Sequence, residues 1–152
     1  MLLDRADFAD LGELAAHRQR LWDVQRDYVA ARSPLHRRAW SSAKPPATLE
    51  GFADLPLTDK EMLRESQRTH PPFGDYLAAD PTTVARIHRT SGTTGTAMNL
   101  ALSWRDAHET AVVGGRAQAA SGLGPGHRVV PCLNYRLWMG GYTDHTTLEA
   151  TG

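Results

Sequence analysis

The segment Arg86 to Asn99 reads RIHRTSGTTGTAMN, and its residue types suit one kind of chemistry. Thr90, Ser91, Thr93 and Thr94 put four hydroxyls within five residues, and Gly92 and Gly95 interrupt them. Glycines without side chains let backbone amides approach a ligand and reach positive φ. Successive amides in such a turn form an anion-binding concavity. Hydroxyls add donors that a phosphate oxygen can accept. The run Thr90 to Thr96 therefore reads as a phosphate cradle. It is not a Walker loop, which needs a lysine after its last glycine and a helix next. The same composition also suits a plain surface turn. His88 stands just before the run and could touch phosphate or substrate, or serve only as a structural residue of its strand.

Other reactive types offer less. The histidines at 17, 36, 70, 108, 127 and 145 are scattered without the spacing of a metal site, so no metal ligand is expected. The single Cys132 has no acid or base beside it in sequence and excludes an internal disulfide framework. That favours a reducing compartment, and the expectation is cytoplasmic. Seventeen Lys+Arg balance seventeen Asp+Glu over 152 residues, so neither a nucleic-acid partner nor an anionic membrane surface is expected.

The elements that must hold the cradle follow from periodicity. A helix is expected from Asp10 to Ala31, with Leu11, Leu14, Leu21, Val24 and Tyr28 as its buried stripe and Asp10 and Glu13 as a capping box. Ser33-Pro34 should end it. Leu35 to Trp40 is helical or turn-like, Ser41 to Pro46 is a loop, and Thr48 caps a short turn. Thr58 and Glu61 have capping-box spacing before a helix from Asp59 to Gln67. Arg68 to Tyr76, with Pro71, Pro72 and Gly74, reads as a loop. Thr83 to Arg89 alternates as a strand, and Met98 to Ser103 as its return. Ser103 and Asp106 then open a helix from Trp104 to Ala120, burying Ala107, Ala111 and Val112 and weakened at Gly114-Gly115. A turn at Gly122 to Gly126 and a strand at Arg128 to Leu133 follow. Asn134 to Gly152 shows no clear closing element. The class is α/β, with α+β as the alternative: N-terminal helices, then a partial mixed sheet. The chain reads as the front portion of a larger domain.

Thr90 to Gly95, T-S-G-T-T-G, resembles the phosphate-binding signature of the adenylate-forming superfamily, the AMP-dependent synthetases and ligases. The surroundings resemble its phenylacetate–CoA ligase-like branch: Arg86-Ile87-His88 before the signature, Leu55 to Arg64 (LPLTDKEMLR), Pro72-Phe73-Gly74, and Tyr135 followed by Gly140-Gly141. The similarity runs from about Leu14 to the last residue. It implies a chain whose residues 1–152 form an incomplete N-terminal part of an AMP-binding domain. Residues 1–80 would be a helical lead-in, and 81–152 would hold the phosphate loop and the start of the acyl pocket.

The resemblance implies ATP, magnesium and coenzyme A, and a carboxylic-acid substrate, aromatic in this branch. Ser91 to Thr96 would hold phosphates, and His88, Tyr135, Trp138, Gly140 and Gly141 would border the acid. The family's adenine-contacting segment, ribose-binding aspartate and catalytic lysine lie past the last residue, so no catalytic residue is assigned. Thr96-Ala97 stands where the family carries a basic residue and proline, Arg136 where glycine is common, and His145-Thr146-Thr147 where it has H-Y-G. Alone, the chain is expected to be inactive. Its partner would be a complementing C-terminal chain, as in a split ligase, or a second copy. The rival reading is a non-catalytic remnant or protein-interaction module.

Overall fold

The computed structural model describes residues 5–41, 44–90 and 96–152. Two compact units divide the chain: Arg5–Asp80 forms one, and Pro81–Gly152 belongs to the other.

In the first unit, helix α1 spans Leu11–Arg32 and starts as its cap residues require. The Asp10 carboxylate accepts from the Glu13 amide at 2.8 Å, and Glu13 accepts from the Asp10 amide at 3.3 Å. The expected apolar stripe is not the buried face. Leu11 is 86% and Val24 72% exposed, and Leu21 and Tyr28 are exposed as well. The covered face is instead Gln19, Trp22 and Arg26, at steps of three and four. Trp22 is buried, donates through Nε1 to the Pro46 carbonyl at 3.0 Å, and meets the Phe52 ring edge-on at 5.2 Å. Gln19 donates to the Ala47 carbonyl at 2.8 Å and accepts from the Leu49 amide at 3.0 Å, and Arg26 also reaches the Ala47 carbonyl. The Pro46 and Ala47 carbonyls take these side chains as their hydrogen-bond donors. Hydrogen bonding therefore selects a face that hydrophobicity alone does not.

Ser33 ends α1 and caps helix α2, Pro34–Ala39. Its fully buried hydroxyl donates to the Tyr76 carbonyl at 3.2 Å and lies 2.8 Å from His36 Nδ1. Helix α3 runs Lys60–Thr69 and is capped by Asp59, which accepts from the Met62 amide at 2.8 Å. The expected Thr58–Glu61 box is thus displaced by one residue, because the carboxylate of Asp59 sits nearer the free amides. The loop after α3 is pinned through Asp75, which takes a hydrogen bond from the Ser66 hydroxyl at 2.7 Å and pairs with Arg38 at 2.6 Å.

In the second unit, β1 (Val84–Arg89) and β2 (Asn99–Ser103) form an antiparallel pair in the register Arg86–Leu102, His88–Leu100, Arg89–Asn99. Helix α4, Trp104–Ala120, follows directly, with a capping box between Ser103 and Asp106. Ala107 is buried on it, as expected. Helix α5, Met139–Glu149, lies where no closing element was expected. It has no side-chain cap, so packing rather than local signal specifies it. A Cβ on Gly114 would fall 2.1 Å from Thr147 Cγ2, and one on Gly115 2.9 Å from Ala150 Cβ. The glycine pair that weakens α4 locally is what lets α5 approach it.

The expected strand at Arg128 to Leu133 is not formed. Val130 is 82% exposed, Pro131 has no amide to donate, and no strand pairs with the segment among the described residues. The neighbour of β1 on its other side is instead a single parallel bridge, Arg89 to Trp138.

Candidate functional site

The phosphate-cradle residues Ser91, Gly92, Thr93, Thr94 and Gly95 lie outside the described residues. Their flanks are described. Thr90 donates its amide to the Met98 carbonyl at 3.0 Å, and its hydroxyl accepts from the Met98 amide at 2.9 Å. The hairpin is therefore closed immediately at both ends of the run, and the Thr90 hydroxyl oxygen is occupied by backbone. Thr96 is exposed.

His88 points to the same face of β1 as Arg86, since side chains alternate along a strand. It is 3% exposed, and neither ring nitrogen has a hydrogen-bond partner among the described residues. Burial, helped by the Arg86 charge, pushes its pKa below the usual histidine range, while the nearby Leu137 carbonyl acts weakly in the opposite sense. Burial thus favours the uncharged ring. Buried polar atoms without partners are rare in folded proteins, and each needs an explanation.

The segment just before α5 meets the end of this strand. Arg89 donates its amide to the Leu137 carbonyl at 2.7 Å, which sets Trp138 next to Arg89. Gly141 sits where Asn134 and Tyr135 cross α5: a Cβ there would fall 2.0 Å from the Asn134 carbonyl oxygen. Gly140 has no such constraint, its nearest neighbour being Leu133 Cδ1 at 3.8 Å. Of the sequence-selected group, Trp138 thus stands beside Arg89 and Tyr135 beside Gly141, while His88 lies on β1.

Four residues that sequence reasoning did not select join this group. The Tyr135 hydroxyl is 3.0 Å from His145 Nδ1, and His145 Nε2 is 3.2 Å from Glu149 Oε1. The His145 ring stacks on Tyr142 at 6.2 Å, and the Arg86 guanidinium lies 4.4 Å from the Tyr142 centroid. The i, i+4 spacing of His145 and Glu149 was a visible signal, but only once α5 was known to be a helix.

A shallow depression of about 360 Å³ lies at the other end of the hairpin, lined by Thr82–Ala85 and Ser103–Arg105. None of the sequence-selected residues borders it. No group of three or more His, Cys, Asp or Glu that could hold a metal occurs among the described residues. No helix is long and apolar enough to cross a membrane among them.

No family model matches the chain. In backbone it matches a 2-hydroxyisobutyryl-CoA ligase in complex with 2-HIB-AMP and CoA, with a TM-score of 0.85 and 29% identity over 93% of this chain and 31% of that one. The same ligase in its postadenylation state gives a TM-score of 0.84. The chain thus has the fold of a portion of an adenylate-forming ligase. Within that class its sequence is similar to phenylacetate–CoA ligases: 36% identical over 129 residues to that of Thermus thermophilus, and 31% over 156 residues to that of Escherichia coli. These alignments take in 82% and 99% of this chain but 28% and 34% of the relatives, so the chain spans about a third of their length. It fits the N-terminal portion of such a ligase.

Proposed function

We propose that the chain supplies the phosphate-gripping hairpin and part of the acid-binding wall of an AMP-forming acid–thiol ligase. In that reaction a carboxylate oxygen attacks the α-phosphorus of ATP, and pyrophosphate leaves. A thiol, coenzyme A in the relatives' names, then displaces AMP from the acyl carbon. Ser91, Gly92, Thr93, Thr94, Gly95 and Thr96 hold the β- and γ-phosphates and the departing pyrophosphate. Nucleotidyl transfer depends mainly on positioning and charge stabilisation, which amides and hydroxyls supply.

The observation that carries this reading is the hairpin closed by Thr90 and Met98 at both ends of the hydroxyl-and-glycine run. Buried His88, whose ring nitrogens have no hydrogen-bond partner among the described residues, adds to it, because an imidazole can accept or donate a hydrogen bond to a ligand. Magnesium, when bound with the nucleotide, neutralises phosphate charge. It would take most of its ligands from phosphate and water.

His88, Tyr135, Trp138, Gly140 and Gly141 border the acid, which is aromatic in this reading. Residues 1–80 act as a helical lead-in, and 81–152 as the nucleotide-facing part of the domain. The groups that complete the reaction belong to the C-terminal part of such a ligase, and the setting is cytoplasmic. Calorimetry with ATP and magnesium tests the proposal. Micromolar binding that Thr93→Ala and Gly95→Val each weaken at least tenfold supports it. No detectable binding overturns it in favour of a non-catalytic module.

A further inference from the structure

Helix α1 carries a second periodicity that its own unit does not use. Leu14, Leu21 and Tyr28 stand seven residues apart, and so do His17, Val24 and Ala31. Interleaved at steps of three and four, they form the a and d rows of a heptad repeat, with Leu14 at a. Gln19 and Arg26, whose side chains reach the Ala47 carbonyl, fall at f, on the far side of the helix from that seam. The contacts that hold α1 to its unit therefore leave the seam facing outward. Leu21 is 56% and Val24 72% exposed, Tyr28 and Ala31 are exposed, and Leu14 and His17 are half-buried.

The charges that flank the seam select what fits it. Position e holds Arg18, Gln25 and Arg32, and position g holds Glu13, Arg20 and Asp27. In a parallel, in-register pair of helices, each g residue lies beside the e residue five positions on in the other helix. A second copy of α1 placed in this way sets Glu13 beside Arg18, Arg20 beside Gln25 and Asp27 beside Arg32. Two-fold symmetry repeats each pair, and no like charges meet. Asp27 also holds Arg26 at 2.8 Å, and a carboxylate with two oxygens can serve both. An antiparallel pair sets e against e, and that row carries two arginines and no acid. Helix α1 is already capped by its Asp10–Glu13 box and tied to its unit through Gln19, so pairing demands little further ordering.

We propose that the 14–31 face of α1 is a self-association surface on which a second copy of this chain docks as a parallel two-helix seam. Leu14, Leu21 and Tyr28, alternating with His17, Val24 and Ala31, each meet their own counterpart across the two-fold axis. The seam covers about two and a half heptads, fewer than the three or four that sustain a coiled coil alone. The dimer is therefore weak and reversible.

Analytical ultracentrifugation of the chain, from micromolar to sub-millimolar concentration, tests it. The expected result is a monomer–dimer equilibrium that Val24→Asp shifts at least tenfold toward monomer, because the seam would leave that carboxylate buried and unpaired. Val24 is exposed in the single chain, so the variant should keep its circular dichroism and the fluorescence of buried Trp22. Asp27→Arg should weaken the dimer, and Arg32→Asp added to it should restore it, which neither loss of fold nor unspecific apolar contact would do. In a Cys132→Ser background, Ala31→Cys should crosslink two copies on mild oxidation. Parallel register sets position 31 against itself, whereas an antiparallel pair carries it to the far end, beside Leu14. A chain that stays monomeric throughout overturns the inference and leaves the face to another part of a ligase. A dimer indifferent to Val24→Asp, one that the charge exchange does not restore, or failure to crosslink at position 31 overturns it as well.

Discussion

Two adjacent glycines of α5 have opposite consequences. At Gly141 a methyl group would collide with the backbone of Asn134, and backbone cannot rotate away as a side chain can. Gly141→Ala should therefore destabilise the chain by about 1–3 kcal/mol, the usual cost of overpacking. Gly140→Ala meets only a 3.8 Å contact, and alanine favours a helix; it should be neutral or stabilising by up to about 1 kcal/mol. Urea denaturation of both variants checks the contrast, and equal effects would contradict the crossing at Gly141. A second contrast lies on α1. Trp22→Ala removes a buried indole with its hydrogen bond and should cost about 3–5 kcal/mol. Val24→Ala, two residues on and 72% exposed, should change stability by less than about 0.5 kcal/mol. The reverse order would restore the stripe that periodicity suggests.

Helix starts are decided by short side chains that reach free amides, and these effects are local enough to test one by one. Asp10→Ala and Ser103→Ala each remove one half of an observed capping box and should cost about 1 kcal/mol, read as a drop in the urea midpoint. Asp59→Ala should cost as much, while Thr58→Ala should cost little, because Asp59 and not Thr58 accepts from the Met62 amide. Equal losses at 58 and 59 would mean that both residues share the cap. Between α4 and α5 the decisive feature is absence of bulk. Gly114→Ala gains helix propensity in α4 but drives a methyl into Thr147, and the clash at 2.1 Å outweighs that gain, so the variant should be less stable.

At the scale of the molecule, the two units share a response to acid. Burial lowers the pKa of His36 in the first unit and of His88 in the second. A histidine with a depressed folded pKa binds fewer protons when folded than when unfolded. Stability is then unaffected well above about pH 6.5, the ordinary histidine value, and falls as the pH drops below it. Asp75 adds a later step. Burial alone would raise its pKa, but hydrogen bonds from Arg38 and Ser66 outweigh that and hold it below the ordinary carboxylate value. Its contribution is lost only under stronger acid. Melting temperature should therefore fall between pH 7.5 and pH 5.5, where the carboxylates remain charged. His88→Leu should flatten part of that fall. A melting temperature constant over this interval would show that neither ring is held neutral.

The sequence by itself determined what local chemistry can specify. The caps at Asp10 and Ser103, the break at Ser33-Pro34 and the hairpin flanking the hydroxyl-glycine run follow from residues a few positions apart. The T-S-G-T-T-G run with its neighbours was enough to point to the adenylate-forming ligases. Tertiary structure decided which face of α1 is covered, because the carbonyls of the segment after α2 demanded donors from Gln19, Trp22 and Arg26. It decided that Asn134 to Gly152 contains a helix, since α5 has no cap and draws its order from packing on two glycines of α4. It decided that Arg128 to Leu133 stays unpaired, because a strand exists only where another backbone meets it. The Tyr135–His145–Glu149 chain belongs with these: its residues touch only after α5 has formed and the backbone has crossed it at Gly141.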